Sequence, residues 1–297
     1  MNAVVTRRTA MLGVASLSLL GSQASKTIAR LAPPAVRDQI QAMEARNGGR
    51  LGVLVVDTAT GAFIENRADE RFPLTSTFKF LAAAAVLGLV DAGEQQLDRI
   101  IQYTEADVEP TYSPVTKNHI GTGMSIVDIC AAAVVLSDNT AGNLLLRLLG
   151  GPEGLTRFCR SLDDKVTRLD RTEPTLNTAI PGDERDTTSP RVMVADMRRI
   201  LLGDTLSAAS RQRLETWLID DKVGGNRLRA GIPSVWRIGD KTGSGENGTA
   251  NTIGILWPPV SAPILAAVYY TGSTEPRDQL NTVHAEIARL VANTFGT

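Results

Sequence analysis

Runs of strand length fall in two blocks at opposite ends of this chain, and the residues between them carry a helical pattern. Residues 50–57 (Arg-Leu-Gly-Val-Leu-Val-Val-Asp), the turn Thr58-Ala-Thr-Gly61 and residues 62–65 predict a β-hairpin. Residues 236–242, 252–257 and 264–271, rich in Ile, Val, Trp and Tyr, predict three further strands. Apolar residues recur at helical spacing over residues 36–46, 76–92, 125–136, 140–149, 154–162, 191–202 and 278–295. Strands first, helices in the middle and strands last mean that the two ends share one antiparallel sheet. The expected fold is therefore α/β plus α, with an all-helical subdomain inserted into a sheet flanked by helices. Its α/β part comprises residues 30–66 and 221–297, and its helical part residues 67–220. A small-molecule cleft belongs at the seam between them.

The chain has 297 residues, 43% of them hydrophobic, which is enough to bury a core of this kind. Its 31 basic and 32 acidic residues nearly cancel, and no basic stripe follows a phosphate backbone, so nucleic acid is not an expected partner. At the N-terminus, Arg7 and Arg8 precede an apolar run over residues 10–20 and then small residues, the pattern of an export signal over residues 1–24. The route is twin-arginine or general secretory. The run is shorter than the roughly 20 apolar residues of a transmembrane helix, so the processed chain is expected in the periplasm or outside the cell, without an anchor. Cys130 and Cys159 lie in helical stretches and read as small hydrophobes rather than a disulfide. With two cysteines and two histidines no zinc spacing exists, and no metal or other cofactor is expected. His119 reads as capping or packing locally, and His284 as lying on the last helix away from the site.

Ser76-Thr77-Phe78-Lys79 opens the first long helical run, and residues three apart share a helix face, which places the Lys79 amine beside the Ser76 hydroxyl. A serine becomes a nucleophile when a base takes its proton, and a lysine with a lowered pKa is such a base. The plainer reading is a helix cap beside a solvated lysine. Ser137-Asp138-Asn139 falls at a break between two helices, where its side chains can enter a cleft. Lys241-Thr242-Gly243 falls on a predicted strand. There Lys241 can lower the pKa of a neighbouring hydroxyl and bind a carboxylate, and Gly243 lets substrate approach the backbone. Taken alone, that lysine also reads as an edge-strand charge that blocks aggregation.

The three motifs in this order are those of class A β-lactamases and penicillin-binding proteins. Arg171-Thr-Glu-Pro-Thr-Leu-Asn177, followed by Gly182-Asp-Glu-Arg-Asp-Thr-Thr188, resembles the omega loop of class A serine β-lactamases, which penicillin-binding transpeptidases lack. The resemblance runs from about residue 50 to 287. It implies a β-lactamase/D,D-peptidase-like fold with an omega loop over residues 168–186. It also implies a monomer that hydrolyses β-lactam antibiotics through an acyl-serine and so confers resistance. In that reading Glu173 activates the deacylating water and Asn177 holds it, while Arg171 pairs with Asp186 across the loop neck and the Glu173–Pro174 bond is cis. The backbone N–H groups of Ser76 and Ser244 hold the oxyanion. Ser137 relays a proton to the departing nitrogen, and Asn139 holds the substrate's side-chain amide. Lys241 and Thr242 engage its carboxylate, and Tyr112 stands at the cleft entrance. The acylation base is either Lys79 or Glu173 acting through water.

The chain departs from the family pattern at Ala250, where many members carry a carboxylate-binding arginine. Arg227 is the implied substitute, and Arg229 is expected to pair internally with Asp240. Thr75 and Gly245 stand where some carbapenemases have a disulfide, so that device is absent. Ser244 and Gly245 are compatible with a broad pocket. The rival readings are a D,D-peptidase that β-lactams only acylate, and a periplasmic β-lactam sensor. Glu173 and its loop argue against the first, and the want of a coupling transmembrane segment against the second.

Overall fold

The computed structural model describes Met1 and residues 34–296, so the export signal predicted over residues 1–24 lies outside the described residues. In chain order the elements begin with α1 (Pro34–Asn47), β1 (Arg50–Asp57), β2 (Phe63–Asn66) and the short β3 (Phe72–Pro73). Next come α2 (Phe78–Asp91), β4 (Ile100–Ile101), β5 (Met124–Ser125), α3 (Ile126–Val135), α4 (Asn139–Leu149) and α5 (Pro152–Ser161). After β6 (Thr187–Thr188), α6 (Pro190–Leu202), α7 (Ala208–Ile219) and α8 (Leu228–Gly231), the chain returns to β7 (Arg237–Gly245), β8 (Thr249–Trp257) and β9 (Ile264–Thr271), then closes with α9 (Arg277–Phe295).

The main sheet has the order β2-β1-β9-β8-β7, and every pairing in it is antiparallel. β1 pairs with β9 along its whole length, from Arg50 opposite Thr271 to Asp57 opposite Ile264, which joins the two ends of the chain as the strand pattern requires. β9 is central and buried on both faces, so its sequence is a continuous apolar run rather than an alternation. Leu265, Ala267 and Tyr269 point into the core shared with α2, α6 and α7. Ile264, Ala266, Val268 and Tyr270 point the other way, into the core shared with α1 and α9. Within the helical part, α2 is enclosed on all sides: Phe78 through Leu87 are buried without interruption.

Three boundaries differ from the sequence reading in ways that matter. β7 runs to Gly245 rather than Thr242, and β8 starts at Thr249 rather than Thr252. Gly243, Ser244 and Gly245 are poor strand formers, and pairing with Asn251, Ala250 and Thr249 supplies what their propensity lacks. The hairpin closes at Asn247-Gly248, both at positive φ, the conformation such a tight turn demands. Helix α7 is not predicted by the apolar pattern, because its buried face is narrow, made of Ser210, Leu214, Trp217 and Leu218. Its start is fixed by Ser207, whose hydroxyl caps Ser210 N, and by Asp91 at the end of α2, which accepts from Ser207 N and from both the Ser207 and Ser210 hydroxyls. Third, Ser76 sits not in α2 but in the 3₁₀ turn Thr75–Thr77 just before it.

Cys130 and Cys159 are free and buried, and burial pushes the Cys130 thiol up to about 12, consistent with an inert core residue. Cys159 adjoins the buried carboxyls of Asp164 and Asp196. Burial and the neighbouring Asp164 push Asp196 up to about 9, so at neutral pH it holds a proton.

Candidate active site

The nucleophile turn is built under strain and clamped from behind. Thr75 has φ 45, a costly conformation for a β-branched residue. Its hydroxyl donates to Leu74 O at 2.8 Å and accepts from Asn251 Nδ2 at 2.9 Å, while Asn251 also donates to Pro73 O at 2.8 Å. Asn251 is fully buried on β8 and belongs to no motif, so nothing in the sequence marked it. Gly243 faces the same turn, and a Cβ placed there would lie 2.0 Å from Thr75 Oγ1. The close approach that demands glycine at this position is thus made by the protein's own Thr75, where the sequence reading assigned it to substrate.

Ser76 Oγ is contacted from two sides. It accepts from Lys79 Nζ at 3.1 Å and donates to Glu173 Oε1 at 3.2 Å. Lys79 and Glu173 also form an ion pair at 2.9 Å with both side chains fully buried. Lys79 donates further to Ser137 O at 2.8 Å and Asn139 Oδ1 at 2.7 Å, so one ammonium ties three separate segments together. Burial pulls the Lys79 pKa below the usual lysine range, and the Glu173 charge opposes that pull.

Ser137 occupies the break between α3 and α4 at φ 57, with its hydroxyl accepting from Lys241 Nζ at 2.9 Å. Asp138 caps α4 and holds the preceding loop through Val115 N, Thr116 N and the Thr116 hydroxyl. Asn139 Nδ2 donates to the Thr111 hydroxyl at 3.0 Å, and Asn139 N donates to Tyr112 O. An amide NH₂ has two hydrogens, so one of them stays available for a substrate carbonyl. Lys241 also donates to Thr242 O at 2.7 Å. Burial, then the nearby Lys79 charge, bring Lys241 down to about 7, against the attraction of Asp221, Asp240 and Glu173.

Glu173 is held at four points. Asn143 on α4 accepts from its N–H at 2.9 Å and donates to its carbonyl at 3.1 Å, a two-sided clamp the sequence did not reveal. Asn177 Nδ2 donates to Oε2, and Lys79 occupies Oε1. The bond to Pro174 is cis, as the resemblance implied. Arg171 Nε pairs with Asp186 Oδ2 at 2.5 Å, and Asp186 Oδ1 accepts from the N–H groups of Asp170 and Arg171. The loop neck is tied to the nucleophile turn because Leu74 N donates to Asp186 O at 2.7 Å and β3 pairs with β6.

Ser76, Tyr112, Ser137, Asn139, Asn177, Arg227, Thr242, Gly243 and Ser244 all line one cavity of about 420 Å³. One expectation changes here. Arg227 is wedged under β7 with little exposure: Nη1 donates to Gly243 O and Asn251 O, Nε to Asn281 Oδ1, and Nη2 to Ser244 Oγ at 2.6 Å. Four of its five N–H directions are spent on the protein, so it reaches the cavity mainly through the Ser244 hydroxyl. His284 lies on the last helix, outside the cavity lining, buried against β8 with Nε2 3.0 Å from Ala250 O, and burial followed by the Arg227 charge brings it to about 3, so it is neutral. His119 is exposed beside a short 3₁₀ turn, and Arg229 pairs with Asp240 at 2.6 Å as expected.

A buried lysine and a clamped carboxylate on either side of one serine hydroxyl, beside a cavity with a cationic wall, define a serine acyl-transfer centre. The comparisons with known proteins agree on which kind. A family profile described as the β-lactamase enzyme family matches residues 35–295. The chain is 48% identical to the β-lactamase AST-1 of Nocardia asteroides, over 86% of this chain and 82% of that one. It is 42% identical to the β-lactamase OXY-2 of Klebsiella oxytoca, over 96% and 97%. The solved structure of an ancestral class A β-lactamase (GNCA) superposes with a TM-score of 0.86 at 56% identity, covering 88% of this chain and all of that one. The chain belongs to the β-lactamase family, and within it to the class A serine enzymes.

Proposed function

We propose that this chain hydrolyses β-lactams in two stages at Ser76, acylation by the lactam carbonyl and deacylation by water, and so confers resistance to them. The observation that carries the reading is the placement of Glu173, whose carboxylate contacts Ser76, Lys79 and Asn177 at once. Ser76 attacks, and its proton passes to the Lys79–Glu173 pair. The N–H groups of Ser76 and Ser244 bind the oxyanion. The Ser137 hydroxyl, bonded to Lys241, gives its proton to the departing nitrogen and is reprotonated from the Lys79–Glu173 pair, so the proton taken from Ser76 ends on that nitrogen. Asn139 takes the side-chain amide, and Lys241, Thr242 and Ser244, backed by Arg227, take the ring carboxylate. Tyr112, 45% exposed, forms the rim of the entrance. Deacylation uses a water on Glu173. Asn177 Oδ1 is buried with no partner among the described residues and so has its acceptor capacity free for such a water. Arg171 and Asp186 keep the loop that carries Glu173 in register.

The α/β part is read as residues 30–66 and 221–297, and the helical part with its omega loop as residues 67–220. Among the described residues no helix is long and apolar enough to cross a membrane. The signal pattern over residues 1–24 is the ground for placing the processed chain in the periplasm or outside the cell, and the family resemblance is the ground for reading it as a monomer. The direct test is steady-state turnover of a chromogenic cephalosporin. Many turnovers per enzyme are expected, and a single stoichiometric burst would replace this reading with the D,D-peptidase one.

The lowered Lys241 pKa sets a pH dependence. Binding an anionic substrate uses the ammonium form, which the free enzyme loses as pH rises through about 7. On that alkaline side kcat/KM should fall, approaching tenfold per pH unit, with the loss in KM. Lys241→Arg stays charged and should move the limb upward. A limb at the same pH in the variant would show that another group controls it.

A further inference from the structure

The cavity beside Ser76 carries more positive charge than a substrate with one carboxylate requires. Lys241 and Arg227 already serve its carboxylate end. Arg277, the first residue of α9, lines the same cavity together with Arg227, Asn226 and Asn281. It is exposed and makes no hydrogen bond or ion pair among the described residues. Helix stability does not account for it, because a cation in the first turn faces the positive end of the helix dipole. It also burdens its neighbour: after burial, the Arg277 charge is the next cause that pulls the Arg227 guanidinium down to about 10. An unpaired cation at the wrong end of a helix, beside a second cation, is a cost that an anion in the cavity offsets.

The orientation of a bound substrate says where that anion sits. With the side-chain amide placed at Asn139 and the ring carboxylate at Lys241 and Thr242, the ring atom next to the carboxylate-bearing carbon falls at the carboxylate end of the cavity, whose lining includes Arg227 and Arg277. In a cephalosporin that atom is C3, which carries the variable arm. We propose that Arg277 forms a subsite for an anionic group on the arm adjacent to the substrate's ring carboxylate, so that dianionic cephalosporins are preferred over otherwise identical monoanionic ones. This rests on the β-lactam reading above and names a substrate class within it.

Two cephalosporins test it, sharing one C7 side chain and one C3 tetrazolylthiomethyl arm, the tetrazole bearing N-methyl in one and N-sulfomethyl in the other. In the wild type kcat/KM should favour the sulfonate by about two- to fivefold, the scale of an exposed ion pair, with the difference in KM and diminished at high ionic strength. Arg277→Gln should bring the ratio near one and Arg277→Glu should invert it. A ratio that is the same in all three proteins, or that salt does not move, overturns the subsite. Failure of the wild type to hydrolyse these two compounds and a penicillin as well overturns the β-lactam reading itself, and turnover of the penicillin alone overturns the subsite only.

Discussion

Glu173→Ala should acylate and then fail to recover: intact-mass spectra show the full adduct on the protein within the first turnover, while steady hydrolysis falls by about 10²–10⁴-fold, the worth of a positioned general base. The structure explains why the first stage survives. Glu173 is the counter-charge that opposes the lowering of the Lys79 pKa. Without it the buried ammonium loses its partner and gives up its proton more readily, and a neutral Lys79 stays 3.1 Å from Ser76 Oγ, able to take the hydroxyl proton. The ester that forms then has no carboxylate to deprotonate water. A variant in which acylation and deacylation slow equally would mean that Glu173 serves both stages to the same degree, and the division of labour between Lys79 and Glu173 would be wrong.

Lys79→Ala should do the reverse. It deletes the donor that joins Ser76, Ser137 and Asn139, and it leaves Glu173 buried without its cation. Acylation measured in the pre-steady state should fall by about 10²–10⁴-fold, and deacylation of the little ester that forms by much less. Lys79→Arg should not restore the rate, since a guanidinium stays protonated and cannot take the Ser76 proton. Acylation at wild-type speed in the alanine variant would remove Lys79 from the first step.

Strand and helix periodicity made the split sheet legible, because the apolar runs of strand length at the two chain ends need partners along their edges, and β1 pairs with β9 over its whole length. The motifs made Ser76, Lys79, Ser137 and Lys241 legible because short-range spacing on a helix or strand decides which side chains share a face. What stayed hidden depends on residues brought together from distant segments. Asn143 and Asn251 are single asparagines within a helix and a strand, and their roles exist only once α4 meets the loop at Glu173 and β8 passes behind Thr75. The burial of Arg227 was hidden for the same reason. Its partners Gly243, Asn251 and Asn281 come from β7, β8 and α9, and sequence order says nothing of that convergence. The extension of β7 was missed because Gly243 and Gly245 argue locally against a strand, while register with β8 enforces one.

The central claim is that one hydroxyl, on Ser76, is acylated and freed in every cycle. Rapid-quench mass spectrometry of the wild type and of Ser76→Ala, mixed with a slowly processed cephalosporin, tests it most directly. The wild type should gain one adduct, mapped to the peptide bearing Ser76, that rises and then decays as product appears, and the alanine variant should gain none and turn nothing over. Hydrolysis by the alanine variant at a comparable rate, or wild-type turnover with the adduct on another residue, would contradict the account.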